Sequence, residues 1–416
     1  MSEKLQAPRG TFDVLPGDWP ARRGVELAAQ RILEDAGYRR IETPTFEATE
    51  LFARGVGEST DIVRKEMFTF DDGGGRSLTL RPEGTAPVCR AYIEHGMHKR
   101  RQPVKLWYLS SFFRHERAQA GRYRQFWQVG AEAIGSDDPA VDAESIALLA
   151  TLLAELGVRD SRLRLSSLGS AATRVQYRER LQAHLREHEK NLSEDVRSRI
   201  ELNPLRAFDS DHPGTQQVMQ SAPRLLEQLS AEDAEHFAEV RALLDDASVA
   251  YEIDSTLVRG LDYYSRTVFE FTLDALGAQS GVGGGGRYDG LIELLGGKPT
   301  PGIGWAAGIE RMLIAGDSQH AVASPVDLFV ALEGASLRRV AFQLLEAARS
   351  AGLRAQMELA GRSLKGQLGH ADALGARYVA IVEGRETALK DLQDGSQQRI
   401  ATDTVVHAVL RGLRTL

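Results

Sequence analysis

The chain has 416 residues, a net charge of −7 and a single cysteine, Cys89, which allows two or three domains but excludes an intrachain disulfide and a cysteine-rich zinc site. Its ten histidines show no HExxH-like spacing, no apolar run is long enough to cross a bilayer, and MSEKLQAPRG lacks the basic-then-apolar order of a signal peptide. Neither a structural metal nor a membrane is expected, a cytosolic location is, and the acidic balance argues against a general nucleic-acid binder. Residues 90–127 are the exception, with nine Lys or Arg against two acids. This suits either one localised polyanion site or a solvated basic surface.

Residues 19–36 follow Pro16-Gly17-Asp18 and carry apolar residues at helical spacing, with Val25, Leu27, Ile32 and Leu33 on one stripe and Gly37 as the stop. The next segment, GYRRIETPTFE, holds Pro44 inside an extended run, which an edge or interface strand tolerates and a central strand does not. SLTL (77–80) reads as a strand delivering RPEGTAPVCRAY, with a helix start after Glu83. Glu83 and Thr85 at the mouth of a sheet suit an α-ammonium group. A helix N-terminal acid answering the macrodipole fits the same pattern.

VKLWYLSSFF (104–113) and RYRQFWQVGAEAIG (122–135) are rich in aromatic and β-branched residues and predict an antiparallel hairpin around a short Ala-Gln-Ala-Gly connection. Alternation puts Arg122, Arg124, Phe126, Gln128 and Glu132 on one face and Trp127 on the other, while Arg114 and Glu116 share a face of the first strand. Guanidiniums grip phosphates through paired hydrogen bonds, Phe126 offers a flat surface for a base, and Gln128 with Glu132 suits an amine or an imidazole. The face fits a nucleotide plus a small cationic substrate; a solvated face of alternating charges is the alternative.

Asp138-Pro139 predicts the start of an amphipathic helix reaching about residue 156, and RLRLSSLG (162–169) a strand. Residues 171–248, charged and helical in period, read as a helical insertion in a sheet-based domain. The sheet resumes over residues 251–273. There Arg259 suits a transferring phosphate, and Tyr263 and Tyr264 offer hydroxyls to an imidazole; alternatively they are sheet tyrosines beside an ion-paired arginine. GVGGGGRYDGL (281–291) contains G-x-G-x-x-G, but the helix after it is short for a dinucleotide fold, and close approach of a strand to a ligand explains the glycine run better. TPGIGWAAGIERMLIAG (300–316) predicts a glycine-bearing strand and a helix from near Ala306, with Glu310 and Arg311 in its first turns. After a linker at 318–324, alternating patterns predict a small α/β domain with a mixed sheet, ending in one strand and a helix.

FRHERAQAGRYRQF (113–126) resembles motif 2 of the class II aminoacyl-tRNA synthetases, in the wording of the histidyl-tRNA synthetases, with Ala118 where that family usually has proline and Trp127 where it often has histidine. The first helix and its proline-bearing strand resemble motif 1, through which class II synthetases dimerise, and TPGIGWAAGIER resembles motif 3. LVRGLDYY (257–264) and GGGRYDGL (284–291) resemble the two histidine-specific signatures, and residues 326–416 resemble the anticodon-binding domain.

The resemblance implies an α+β fold. An antiparallel-sheet catalytic domain over 1–320, interrupted by the 171–248 insertion, precedes an anticodon-binding domain over 326–416. It implies ATP-dependent ligation of L-histidine to tRNA(His) through histidyl-adenylate, with Mg²⁺ accompanying ATP, in a cytoplasmic homodimer. Catalysis then falls to Arg114 and Arg259. Histidine binding falls to Glu83, Gly84, Thr85, Arg114, Gln128, Glu132, Arg259, Tyr263, Tyr264 and Tyr288, and ATP binding to Arg114, Glu116, Arg122, Tyr123, Phe126 and Arg311. No side chain is assigned to the metal. The rival is a noncatalytic regulatory subunit of an ATP phosphoribosyltransferase, a class that usually lacks the anticodon-binding domain and has degraded signatures. A pure RNA-binding regulator fits the basic island but leaves the nucleotide face unexplained.

Overall fold

The computed structural model describes residues 4–57, 60–116, 121–257, 261–273, 281–316 and 326–414. The chain divides into two compact units, residues 1–321 and 322–416. Among the described residues of the first unit, the strands are β1 (Arg39–Arg40), β2 (Phe46–Ala48), β3 (Thr69–Asp71), β4 (Ser77–Leu80), β5 (Val104–Phe113), β6 (Gln125–Ile134), β7 (Arg162–Ser167), β8 (Glu252–Ile253), β9 (Ser265–Thr272), β10 (Gly281–Arg287) and β11 (Gly302–Gly308). The main sheet has the order β1-β5-β6-β11-β10-β9-β7-β8, and β2-β4-β3 forms a smaller one. Six central strands are antiparallel, and the two-residue strands β1 and β8 join in parallel at the edges. Pro44 lies between β1 and β2, each at the edge of its sheet, where its missing N–H costs no ladder bond.

The period of two sorts side chains cleanly. Trp107, Val129, Ala131, Phe269, Trp305 and Ala307 pack under the helices Trp19–Asp35, Pro139–Glu155, Ala231–Asp246 and Ile309–Ala315. Val25, Ile32 and Leu33 join this core, but Leu27 is 49% exposed. Two residues along a helix turn a side chain about 200°, so Leu27 falls off the stripe and Ala28 and Ala29 occupy it. The Pro139–Glu155 helix begins as expected, with the Asp138 carboxylate accepting the Ala140 N–H at 2.9 Å. The last helix of the 171–248 stretch, Ala231–Asp246, lies on this side, whereas Ala171–Glu187 packs into the cluster on the opposite face.

The structure corrects three further local expectations. The hairpin strands stop at Phe113 and restart at Gln125, with Phe112 opposite Phe126. Arg114, Glu116, Arg122 and Arg124 therefore lie in the connection rather than on the strands. Arg124 leaves the predicted face altogether: its N–H donates to the Gly10 carbonyl at 2.7 Å, and its side chain covers Gly10, where a Cβ would collide with it. β11 stays extended through Gly308, and its helix starts at Ile309 rather than near Ala306, because Trp305 and Ala307 remain in register with Ala131 and Val129 in the helix-side core. The dinucleotide reading of the glycine run, disfavoured by the sequence, is excluded, since β10 has antiparallel neighbours on both sides and is followed only by the four-residue helix Leu291–Leu294.

The other face of the sheet is floored by glycine. A Cβ on Gly130 would strike the Tyr108 ring, one on Gly302 the Tyr288 ring, and one on Gly304 the Glu132 carboxylate. These absences make room for polar side chains lying flat across the sheet.

In the second unit, β12 (Leu328–Leu332), β13 (Ala355–Met357), β14 (Tyr378–Val382), β15 (Glu386–Asp391) and β16 (Gln397–Ala401) form a mixed sheet of order β13-β12-β14-β15-β16. The first three are parallel and the last two antiparallel, one closing strand more than the sequence pattern suggested. Among the described residues no helix is long and apolar enough to cross a membrane.

The glycine floor generates one prediction. Gly304→Ala places a methyl group on the Glu132 carboxylate and should destabilise the protein by about 1–3 kcal/mol. Gly290→Ala, whose Cβ meets open space, should not. Thermal unfolding of both variants decides this, and equal midpoints would contradict the packing described.

Candidate active site

A cleft of about 660 Å³ opens on the glycine side of the sheet. Arg114, Glu116, Arg122, Tyr123, Phe126, Gln128 and Arg311 line it together with Gly281, Gly283 and Gly284. Every described residue predicted for ATP is thus on one cavity wall. The Arg114 guanidinium lies 5.3 Å from the centre of the Phe126 ring, and its Nε donates to the Pro82 carbonyl at 2.8 Å. Glu116 sits between cations, 3.0 Å from Arg122 and 3.6 Å from Arg114. Arg311 donates to the Gly281 carbonyl and, at 3.3 Å, to that of Gly121. Burial, with the Arg122 charge behind it, holds the Arg311 guanidinium below its ordinary range. Such a wall gains by taking an anion.

Arg311 is aimed from behind. The neighbouring Glu310 carboxylate pairs with Arg22 of the first helix and accepts the Trp127 N–H at 3.1 Å. Arg22 also lies 4.8 Å over the Trp127 ring. Trp127 points away from the cleft, as its parity predicts.

Farther along β6 is a buried polar network. Glu132 has no solvent exposure. Its carboxylate accepts the Thr85 hydroxyl at 2.8 Å on one oxygen and the Tyr288 hydroxyl at 2.7 Å on the other. Burial pushes this carboxyl up to about 8, against the opposing pull of the Tyr288 and Thr85 hydrogen bonds. Glu83 accepts the N–H groups of Thr85 at 2.8 Å and Ala86 at 3.0 Å, which is the helix-terminus role its sequence context allowed. The Tyr263 hydroxyl reaches the same carboxylate at 3.3 Å, so Glu83 caps the helix and faces the network at once. Burial raises the Glu83 carboxyl as well. The Tyr263 ring centre lies 4.8 Å from Tyr264 and 6.0 Å from Tyr288.

Glu83, Thr85, Glu132, Tyr263, Tyr264 and Tyr288 are therefore gathered in one cluster, buried except for the half-buried Thr85, and Gly84 admits the ring of Tyr108, which would collide with a Cβ there. Tyr288 and Thr85 supply the hydrogen bonds to Glu132. Arg259 and Ala118 lie outside the described residues.

Tyr108 was not singled out from sequence, although it shares the parity of Leu106 and Phe112 in the cluster on this face. Arg164 was also missed. It lines the cleft between Leu163 and Leu165 of the helix-side core, an alternation legible in RLRLSS. Arg206, Asp209 and Asp211 reach the cleft from the 171–248 stretch, and no local sequence signal announces this. Among the described residues no group of three or more His, Cys, Asp or Glu could hold a metal ion.

The family model described as "Histidyl-tRNA synthetase" matches residues 10–312. The chain belongs to the histidyl-tRNA synthetase family. A second model, "Anticodon binding domain", matches residues 327–411. The histidine--tRNA ligase of Halorhodospira halophila is 50% identical over 99% of this chain and 99% of its own, and that of Corynebacterium diphtheriae is 48% identical over 97% of each. Among solved structures, the apo histidyl-tRNA synthetase of S. aureus is 36% identical, with a TM-score of 0.82 over 98% of this chain and 100% of that one. The α+β class with an antiparallel-dominated sheet and a separate C-terminal anticodon-binding domain is the architecture of this family.

The Glu132 environment yields a prediction whose sign is fixed. Its folded carboxyl titrates near 8 against an ordinary 4.5, so the native state keeps a proton that the unfolded chain releases between these values. The stability contributed is full below pH 4.5 and is lost as pH rises through 8. Across that window the wild type should lose stability relative to Glu132→Gln by up to about 1.4 kcal/mol per pH unit. Denaturant unfolding of both proteins at two pH values inside the window measures this. A gap that does not change with pH would contradict a buried proton at Glu132.

Proposed function

We propose that the chain ligates L-histidine to tRNA(His) through histidyl-adenylate. The observation that carries this reading is the continuity of two environments along β6, a cationic cleft with an aromatic wall at Phe126 and a buried acid–tyrosine network at Glu132. The first suits ATP and the second a small substrate with an amine and an imidazole. The family and the relatives' names agree with the reaction.

In the first step the histidine carboxylate attacks the α-phosphate of ATP and pyrophosphate leaves; in the second the terminal ribose of the tRNA takes the histidyl group. Neither needs a strong nucleophilic side chain, so the work is positioning and charge stabilisation. Arg114 and Arg259 hold the α-phosphate in this reading, Arg311 the outer phosphates, and Glu116, Arg122 and Tyr123 complete the nucleotide wall, with the adenine against Phe126. Glu83, Gly84, Thr85 and Gln128 take the α-amine, and Glu132, Tyr263, Tyr264 and Tyr288 surround the imidazole. Mg²⁺ accompanying ATP would neutralise phosphate charge in this reading. We place the protein in the cytoplasm as a homodimer joined through the segment around Pro44. The match to an anticodon-binding model over 327–411 favours the ligase over the noncatalytic regulatory subunit.

Histidine-dependent exchange of pyrophosphate into ATP tests the reaction. Arg259→Ala should fold normally and lose exchange by about 10²-fold or more, the loss expected for a transition-state donor; near-normal exchange would remove Arg259 from the mechanism. Histidine binding with no exchange in the wild type would decide for the regulatory subunit. For the dimer, sedimentation should give twice the chain mass at micromolar concentration, and a fully active monomer would refute it.

A further inference from the structure

Arg287 has no solvent exposure, carries a full charge and lies outside the cleft. Its bidentate pairing with Asp142 places Nε 3.0 Å from one carboxylate oxygen and Nη2 2.7 Å from the other. Nη1 donates to the Ser136 carbonyl at 3.0 Å and the Asp289 carboxylate at 3.2 Å, and Nη2 also donates to the Asp138 carbonyl at 3.2 Å. Four of its five N–H groups donate hydrogen bonds in fixed directions, and the Nη2 approach to the second Asp142 oxygen is an ion pair. His236 stands 3.7 Å from Asp142, but burial and the Arg287 charge hold its imidazole down at about 4, so it does not add a second cation.

Arg287 sits opposite Ile303, a residue of the helix-side core, and the next residue, Tyr288, turns to the other face. The Tyr288 N–H donates to the Gly302 carbonyl at 2.8 Å, and the Asp289 carboxylate accepts the Gly302 N–H at 3.3 Å. Tyr288 is thus held between two anchored neighbours, with its ring over Gly302 and its hydroxyl on Glu132. A buried ion pair contributes little net stability compared with apolar residues of similar volume, so its distinctive contribution is direction.

We propose that Arg287 is a positioning residue, whose guanidinium, anchored by four hydrogen bonds and the Asp142 ion pair on the helix side of the sheet, fixes where Tyr288 presents its hydroxyl to Glu132 on the other side and so sets the affinity for histidine. This rests on the histidine pocket proposed above.

The test is a double-mutant cycle read as Michaelis constants for histidine and ATP in pyrophosphate exchange. Tyr288→Phe should raise the histidine constant about tenfold, the effect of one lost hydrogen bond in a buried site, and leave that for ATP within about twofold. Arg287→Lys keeps the charge but loses the fork. It should raise the histidine constant similarly, yet multiply it by less than about twofold in the Tyr288→Phe background, because both act through one contact. Asp289→Asn, milder and partly exposed, should move the histidine constant the same way by about threefold, and stands in if Arg287→Lys does not fold. Full multiplication of the two effects, or equal changes in the ATP constant, would reduce Arg287 to a structural role and overturn the proposal. An unchanged histidine constant in Tyr288→Phe would overturn the pocket reading itself, and the anchor's role with it.

Discussion

A carboxylate with no exposure, Glu132, is the constraint around which the first unit is organised. Removing such a group from water costs several kcal/mol unless its charge is suppressed or its lone pairs are filled. Both remedies are present, a raised proton affinity and hydroxyls from Thr85 and Tyr288. Thr85 comes from the start of one helix and Tyr288 from the turn after β10, so segments distant in sequence converge on two oxygen atoms. Space for the convergence comes from the missing side chains of Gly130, Gly302 and Gly304. The glycines of β6 and β11 are a packing requirement of the polar network, while those of β10 line the ligand cleft.

The cleft and the helix side of the sheet are mechanically joined. Glu310 fastens the helix bearing Arg311 to Arg22 in the first helix and to the backbone of β6. On the other side of the sheet, the 171–248 stretch is tied to the first histidine signature: Arg174 donates to the Tyr264 carbonyl and Asn203 to Asp262 at 2.7 Å. A displacement of those helices would therefore bear directly on the tyrosine cluster.

Much of this was legible in the sequence, because alternation and turn chemistry are local. The hairpin, the outward turn of Trp127, the strand before Glu83 and the Asp138 cap all follow from patterns a few residues long. Legibility failed where tertiary packing overrode them. The strands end at Phe113 and Gln125 because the intervening chain answers to the cleft and to Gly10, and β11 runs on to Gly308 because Trp305 and Ala307 have core partners. The Asp142 partner of Arg287 is 145 residues away, and no local pattern can announce a pairing at that distance.

The two-residue strands at the margins of the main sheet have a further consequence. A long unpaired strand offers a row of free N–H and C=O groups to any other extended chain, which is how sheets aggregate edge to edge. Here the outermost strands are Arg39–Arg40 and Glu252–Ile253, too short to template a ladder and, in the first, charged at both positions. Each covers two residues of its long antiparallel neighbour, Leu106–Trp107 of β5 and Arg164–Leu165 of β7. The outermost strands of the main sheet are therefore poor templates for an added strand.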